Sequence, residues 1–401
     1  MRELRGAGCG IALGIAIIFP VSDQVAFAAR EPVIRVFVKE NNLIRLRADG
    51  NIPLLVTGAS RRLKRLKSVN LKFNNNQFMW DEGKGSNNWS KLRLGSSLKV
   101  RSSDPRGIWL GNRRYRGELR VNTKNRSLVV VNHLGIEKYL MSVVGSEMPK
   151  DWPMAALQAQ AVAARTYALK RLGKNNIFDI NSSESSQVYL GIEAETKRTI
   201  QAVRRTRSLV LKHEGKLISA VFHSSSGGQT ERSGDVWKYQ LPYLKSVRDY
   251  DQNNPKFRWK TVFEQAELKR IFPGIGGVNS IQVLKKSKTG RVQQTNIYGP
   301  SGKISISGNE LRRRLGLKST LAKFEMLPNA SIERKNKSRA SSFSLKSLPK
   351  APKEYSLLVT GLGSGHGVGM SQWGANGLAK KGANFRQILN HYYHDVKILT
   401  Y

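Results

Sequence analysis

The stretch from Gly135 to Gly173, GIEKYLMSVVGSEMPKDWPMAALQAQAVAARTYALKRLG, limits what this chain can fold into more than any other. Ile136, Tyr139, Leu140, Val143 and Val144 recur at the i, i+3, i+4, i+7, i+8 spacing of one helix face. Gly145 predicts the end of that helix, since glycine accepts the left-handed conformation common at helix C-termini. Pro153 suits the first turn of a second helix, where a missing N–H costs nothing. Leu157, Ala161, Ala164, Ala168 and Leu172 give that helix a narrow, small-residue face, and Gly173 ends it. Small side chains let helix axes approach closely. The pair therefore predicts a rigid helix–turn–helix that holds the SEMPKDWP link, and Glu147 within it, in a fixed place.

Charge narrows the partners. Lys and Arg number 68 against 28 Asp and Glu, a net +40 in 401 residues, with an isoelectric point near 10.6. Such a chain attracts nucleic acid, anionic lipid, or wall polymers bearing carboxylates and phosphates. Arg2 and Arg5, the apolar run Ile11 to Phe19, and Ala26-Phe27-Ala28 reproduce the layout of a secretory signal, expected over 1–28. The run is too short to span a bilayer comfortably, and the competing reading is an uncleaved anchor. No later segment approaches the roughly 18 apolar residues of a membrane helix. Cys9, the only cysteine, lies inside the signal, so disulfides and thiolate metal sites are excluded from the exported chain. Export argues against nucleic acid and predicts a periplasmic or cell-wall location.

Along the chain, Val33 to Val38 reads as a buried strand. Residues 29–114 read as a β-rich, wall-associated module, with short apolar runs broken by Gly, Asn and Ser. Trp80, Trp89 and Trp109 suit either sugar stacking or a small core. Strands follow at 115–131, a third helix at 193–205, and strands at 209–211 and 217–222. The His223-to-Thr230 turn follows them at a strand end, a common place for function. Residues 329–353, rich in Ser, Lys and Arg, read as a disordered insertion within 115–401. The fold class expected is α+β, with β-rich lobes around the central helix–turn–helix.

Several motifs fail on spacing. The glycines from Gly361 to Gly369 leave His366 and Val368 where a dinucleotide fingerprint needs glycine, and no Lys-Ser/Thr follows as in a phosphate loop. They suit a structural turn, or a backbone passing close to something while presenting His366. His391 and His394 are i, i+3 near a helix end, and His223 and His366 could meet in space. Without H-E-x-x-H or cysteine these make a weak metal site, so neither metal nor cofactor is expected. Ser224 to Ser226 adjoin His223, but no G-x-S-x-G elbow is present. From spacing alone, Glu147 reads better as a surface residue capping the second helix.

What separates these readings is a resemblance. The central stretch resembles the signature of the stage II sporulation protein D / amidase-enhancer (SpoIID/LytB) family, EYL-x-G-V-V-x-S-E-M-P followed by W-P-x-E-A-L-K-A-Q-A-V-A-A-R-T-Y-A. Further similar blocks follow in order: SQVYLG at 186–191, FHSSSGGQTE at 222–231, DVW at 235–237, PYLKSVRD at 242–249, ISGNELRRRLGLKST at 306–320, GHGVGMSQWGANGLA at 365–379 and ILNHYY at 388–393. The likeness covers roughly 115–401 and omits the N-terminal module.

The resemblance implies a lytic transglycosylase, cutting peptidoglycan between N-acetylmuramic acid and N-acetylglucosamine and preferring strands stripped of stem peptides. The family's catalytic glutamate falls on Glu147. Ordinary glycosidases use two carboxylates. A lytic enzyme can use one twice, first protonating the leaving oxygen and then deprotonating the sugar's own 6-hydroxyl, so such an acid should hold its proton near neutral pH. The matched positions Arg165, Tyr167, Gln187, Tyr189, His223, Ser225, Thr230, His366, Gln372 and Trp373 are candidates for substrate binding. The cysteine-containing zinc site of some relatives is not carried over. The competing class is a non-catalytic wall-binding activator of an N-acetylmuramoyl-L-alanine amidase. A third, an exported nucleic-acid binder resting on charge alone, predicts salt-sensitive DNA binding.

Overall fold

Alternating apolar residues build two β-sheets from the first half of the chain. In Val33–Asn41, Ile34 and Val36 are buried while their neighbours are more open, the period-2 pattern of a strand with one covered face. That strand pairs antiparallel with Ser127–Gly135 and parallel with Ile180–Asn181. They belong to a seven-stranded sheet ordered Ile180–Asn181, Val33–Asn41, Ser127–Gly135, Glu118–Lys124, Leu98–Arg101, Leu54–Thr57, Lys64–Leu66. A six-stranded sheet runs Arg113–Tyr115, Ile108–Leu110, Leu43–Ala48, Ser68–Asn74, Gln77–Asp81, Ser90–Leu92. The computed structural model describes residues 31–58, 62–83, 88–93, 97–328 and 355–401. The expected signal (1–28) and insertion (329–353) lie outside the described residues.

The boundary expected at 114/115 runs through this framework. Strands from both sides of it share the seven-stranded sheet, and Ile34, Leu46, Leu71, Phe78, Val100 and Val121 belong to one core. The reason is the run Leu128 to Asn132, buried at every position, which needs cover on both faces. Of the three tryptophans, Trp80 is buried in the core and Trp109 is half-buried under Arg47, 4.3 Å from its ring centroid.

Helix α1 (Ile136–Glu147) runs straight through Gly145 and ends at Glu147, where Met148 turns extended. Gly145 therefore does not stop the helix. It permits contact: a Cβ there would lie 2.0 Å from the Ala194 carbonyl oxygen. Helix α2 (Met154–Leu169) begins after Pro153 and stops short of Leu172 and Gly173. It is buried on every side rather than along one face, because its alanines admit α1, strand Leu209–His213 and the helices Gln372–Lys380 and Phe385–Tyr392. Helix α3 (Lys197–Arg205) starts from a Thr196–Thr199 capping box, after a short 3₁₀ turn at Ile192–Ala194. The strand expected over 217–222 is split into Lys216–Leu217 and Phe222–His223.

A second core gathers Trp259, Phe263, Leu268, Phe272, Ile297, Leu357 and Val359 from two three-stranded sheets and their short helices. Helices and sheets together make the protein α+β. No helix of the described residues is long and apolar enough to cross a membrane.

Candidate active site

Glu147 occupies the last position of α1, and its carboxyl is held from two sides. Oε1 accepts the Val188 N–H (2.7 Å) and Oε2 accepts a hydrogen from Gln372 Nε2 (3.1 Å). Burial pushes its pKa above the ordinary glutamate value, outweighing these two hydrogen bonds, which favour the ionised form. The carboxyl lines a cleft of about 650 Å³ shared with Tyr167, His223, His366 and Gln372.

The two histidines come from segments more than 140 residues apart. Phe222–His223 pairs parallel with Met370–Ser371, and Ser225 bridges to Ser364, so the two turns form one wall. The histidine rings stand 5.3 Å apart. His223 Nδ1–H donates to the Val368 carbonyl (3.1 Å), leaving Nε2 as its lone-pair nitrogen. His366 Nε2–H donates to the Phe222 carbonyl (3.1 Å), while its Nδ1 accepts the Val368 N–H (3.1 Å). Burial lowers both pKa values, that of His366 to about 4, so both rings are neutral at pH 7. The alternating glycines make this approach possible. Gly365 and Gly367 have φ of +105° and +82°, and a Cβ on Gly365 would sit 2.8 Å from that of His223.

Other expected binding residues lie behind the cleft. Arg165 is fully buried, its Nε and Nη2 donating to Glu137 (2.9 and 2.7 Å) and its Nη1 to the Leu209 carbonyl. A guanidinium spent this way ties α1 to α2 and is out of reach of a substrate. Gln187 accepts the Tyr139 hydroxyl hydrogen (3.0 Å), and Tyr189 donates to Asn132 (2.7 Å); both are buried. Ser225 donates to Asp251 (2.6 Å), and Thr230 accepts the Val247 N–H (2.8 Å). Trp373 packs edge-on against Trp152, with centroids 4.8 Å apart. Ser225 and Ser226 donate to Asp251 and Asp249, so neither forms a serine–histidine pair with His223. Among the described residues, no three His, Cys, Asp or Glu side chains are grouped as a metal site would need.

Sequence reasoning missed Arg171, Glu184, Trp237 and Arg312, which also line the cleft. Trp237 and Arg312 stand inside matched blocks, and Arg171 is one turn after Tyr167. Also missed were the groups beneath the histidine wall. Asp251 accepts Ser225 Oγ–H and the Gly227 and Gly228 N–H groups (2.6, 2.8 and 3.0 Å), and Arg291 donates to the Ser226 carbonyl.

The family model described as stage II sporulation protein matches residues 124–213, and a model described as a domain of unknown function matches 239–369. An uncharacterized protein of Brachyspira hyodysenteriae is 34% identical over 298 residues, 74% of this chain and 75% of that protein. Stage II sporulation protein D of Bacillus subtilis is 30% identical over 295 residues, 69% of this chain and 77% of that protein. The chain belongs to the stage II sporulation protein D family. The amidase enhancer of Bacillus subtilis is also similar, 28% identical over 65% of this family member but only 40% of the enhancer. The family model covers α1, α2 and Glu147, whereas His366 and Arg312 lie in the second matched region. In this SpoIID-family chain the cleft thus draws on both matched regions, while His223, Trp237 and Gln372 come from outside them.

Proposed function

We propose that this protein acts outside the cytoplasmic membrane on the cell wall, as a lytic transglycosylase of peptidoglycan with Glu147 as its catalytic acid and base. The observation that carries this reading is the Glu147 carboxyl itself, set in a cleft wall where burial favours its protonated form. In this scheme Glu147 gives its proton to the glycosidic oxygen leaving from N-acetylmuramic acid C1. The resulting carboxylate takes the proton of that sugar's 6-hydroxyl as O6 bonds to C1, closing a 1,6-anhydro ring without consuming water. The two hydrogen bonds from Val188 and Gln372 hold the carboxyl in place for both steps and stabilise the intermediate carboxylate.

Neither histidine acts as a charge: His366, with both ring nitrogens held by the Phe222 carbonyl and the Val368 N–H, shapes the wall, and His223 Nε2 is the one ring nitrogen of the pair left as an acceptor for a sugar hydroxyl. Tyr167 and Trp237 supply aromatic surface in the same cleft. The basic N-terminal strands and the overall +40 charge support adhesion to anionic wall polymer. Since the protonated acid is the reactive form, activity is predicted to fall as pH rises through the raised pKa of Glu147. A pH–rate profile with its alkaline limb at or below the ordinary glutamate value would contradict this.

The relative named amidase enhancer favours a second reading, a wall-binding activator of an amidase. Mass spectrometry of products from purified, peptide-free glycan separates the two. The lytic enzyme releases fragments ending in anhydro-muramic acid. Hydrolysis would leave reducing ends instead, and an activator alone would release nothing.

A further inference from the structure

Among the described residues, two arginines of the cleft form no ion pair with a carboxylate. Arg171 lies just past α2 with its guanidinium 3.5 Å from the Tyr167 ring centroid. Stacking occupies the face of that group and leaves its N–H edges open. Arg312 comes from the short helix Gly308–Arg314, and its Nε–H goes to the Leu317 carbonyl (3.1 Å). Its neighbours Arg313 and Arg314 both bind Glu310, at 2.6 and 2.7 Å, whereas Arg312 alone of the three turns into the cleft. Both cleft arginines are half-buried, and burial lowers their pKa, outweighing the attraction of Tyr167 and Tyr139 for Arg171 and of Glu184 for Arg312. The acids nearby form no ion pair with either. Glu147 is engaged by Val188 and Gln372 and favours its neutral form, and Glu184, which attracts Arg312 from a distance, is exposed.

We propose that Arg171 and Arg312 form an anion subsite that receives a carboxylate borne directly on the sugar strand. This rests on the glycan reading above. In peptidoglycan the matching group is the lactyl ether of muramic acid, which is a carboxylate only where no stem peptide is amide-linked to it. A guanidinium fork pairs with a carboxylate through two parallel N–H···O bonds, and half-burial strengthens them relative to a surface pair. The subsite gives the cleft a physical reason to favour strands without peptides: acylation removes the charge and puts a bulky chain where the forks stand.

The test measures binding, so it stays separable from cleavage. The full-length chain carrying Glu147→Gln is titrated at fixed salt with three probes: peptide-free glycan strands, the same strands with their carboxylates converted to methylamides, and neutral chitin oligomers. The subsite predicts about tenfold or greater preference for the free carboxylates. Arg171→Gln and Arg312→Gln should each erase most of that preference while changing affinity for the two neutral probes less than about twofold. Arg65→Gln, an exposed cation outside the cleft, controls for the general attraction of a +40 chain and should leave the preference intact. If a Gln variant does not fold, Arg171→Lys and Arg312→Lys, which keep the charge and lose the fork, carry the comparison and should lose part of the preference. Equal weakening of all three probes by the cleft variants, or affinity unaffected by amidation, overturns the subsite. Binding to none of the three overturns the glycan reading itself.

Discussion

The two walls of the cleft are built on different principles. One wall is the end of α1, the end of α2 and the loop through Val188, regular structure packed on the largest core and tied by the buried Arg165–Glu137 pair. The other is the His223 turn against the Gly361–Gly369 loop, which has two-residue strands and isolated bridges. Its shape comes from buried side chains that hold backbone: Asp251 on Gly227 and Gly228, and Arg291 on Ser226. The first wall contributes stability and the acid. The second contributes shape and a neutral polar surface, with His223 Nε2 left as an acceptor. Damage to the first should appear in global stability, and damage to the second should appear in binding first.

The largest effect expected is that of Glu137→Ala. It leaves the Arg165 guanidinium fully buried without a carboxylate, a loss of about 3–5 kcal/mol, read from the denaturant midpoint. A loss below about 1 kcal/mol would show that the pair does not tie the first wall. Asp251→Asn is next. It places an amide where three donors converge, costing about 1–3 kcal/mol, and should weaken glycan affinity at least about tenfold. Equal stability loss with unchanged affinity would erase the distinction between the walls. Glu184→Gln is the smallest: this exposed carboxylate should alter cleavage less than about threefold, whereas a loss of about a hundredfold or more would mean the first wall works with two acids.

This division also explains what the sequence could convey. The periodicity of Ile136, Tyr139, Leu140, Val143 and Val144 located α1, because local spacing and burial agree there. Gly145 misled, since the close approach of Ala194 is a tertiary fact with no local trace. Matched polar residues pointed to the site region but not to their roles. Arg165 and Arg171 lie six positions apart, yet one is consumed by Glu137 and the other opens into the cleft. The meeting of His223 with His366 depends on strand pairing across 148 positions, from Phe222 to Met370, and on glycines whose positive φ no spacing rule reveals. Asp251 and Arg291 were invisible for the same reason: each acts on backbone far away in the chain.

Glu147→Gln tests the central claim most directly, because it keeps the side chain's size and an acceptor for Val188 while removing the transferable proton. Wild type and variant are incubated with peptide-free glycan strands, and anhydro-muramic ends are counted by mass spectrometry, with thermal melts confirming that both are folded. The account predicts abundant anhydro ends from the wild type and a loss of about a thousandfold or more in the variant, with binding retained. Anhydro ends released by the variant at the wild-type rate would contradict it.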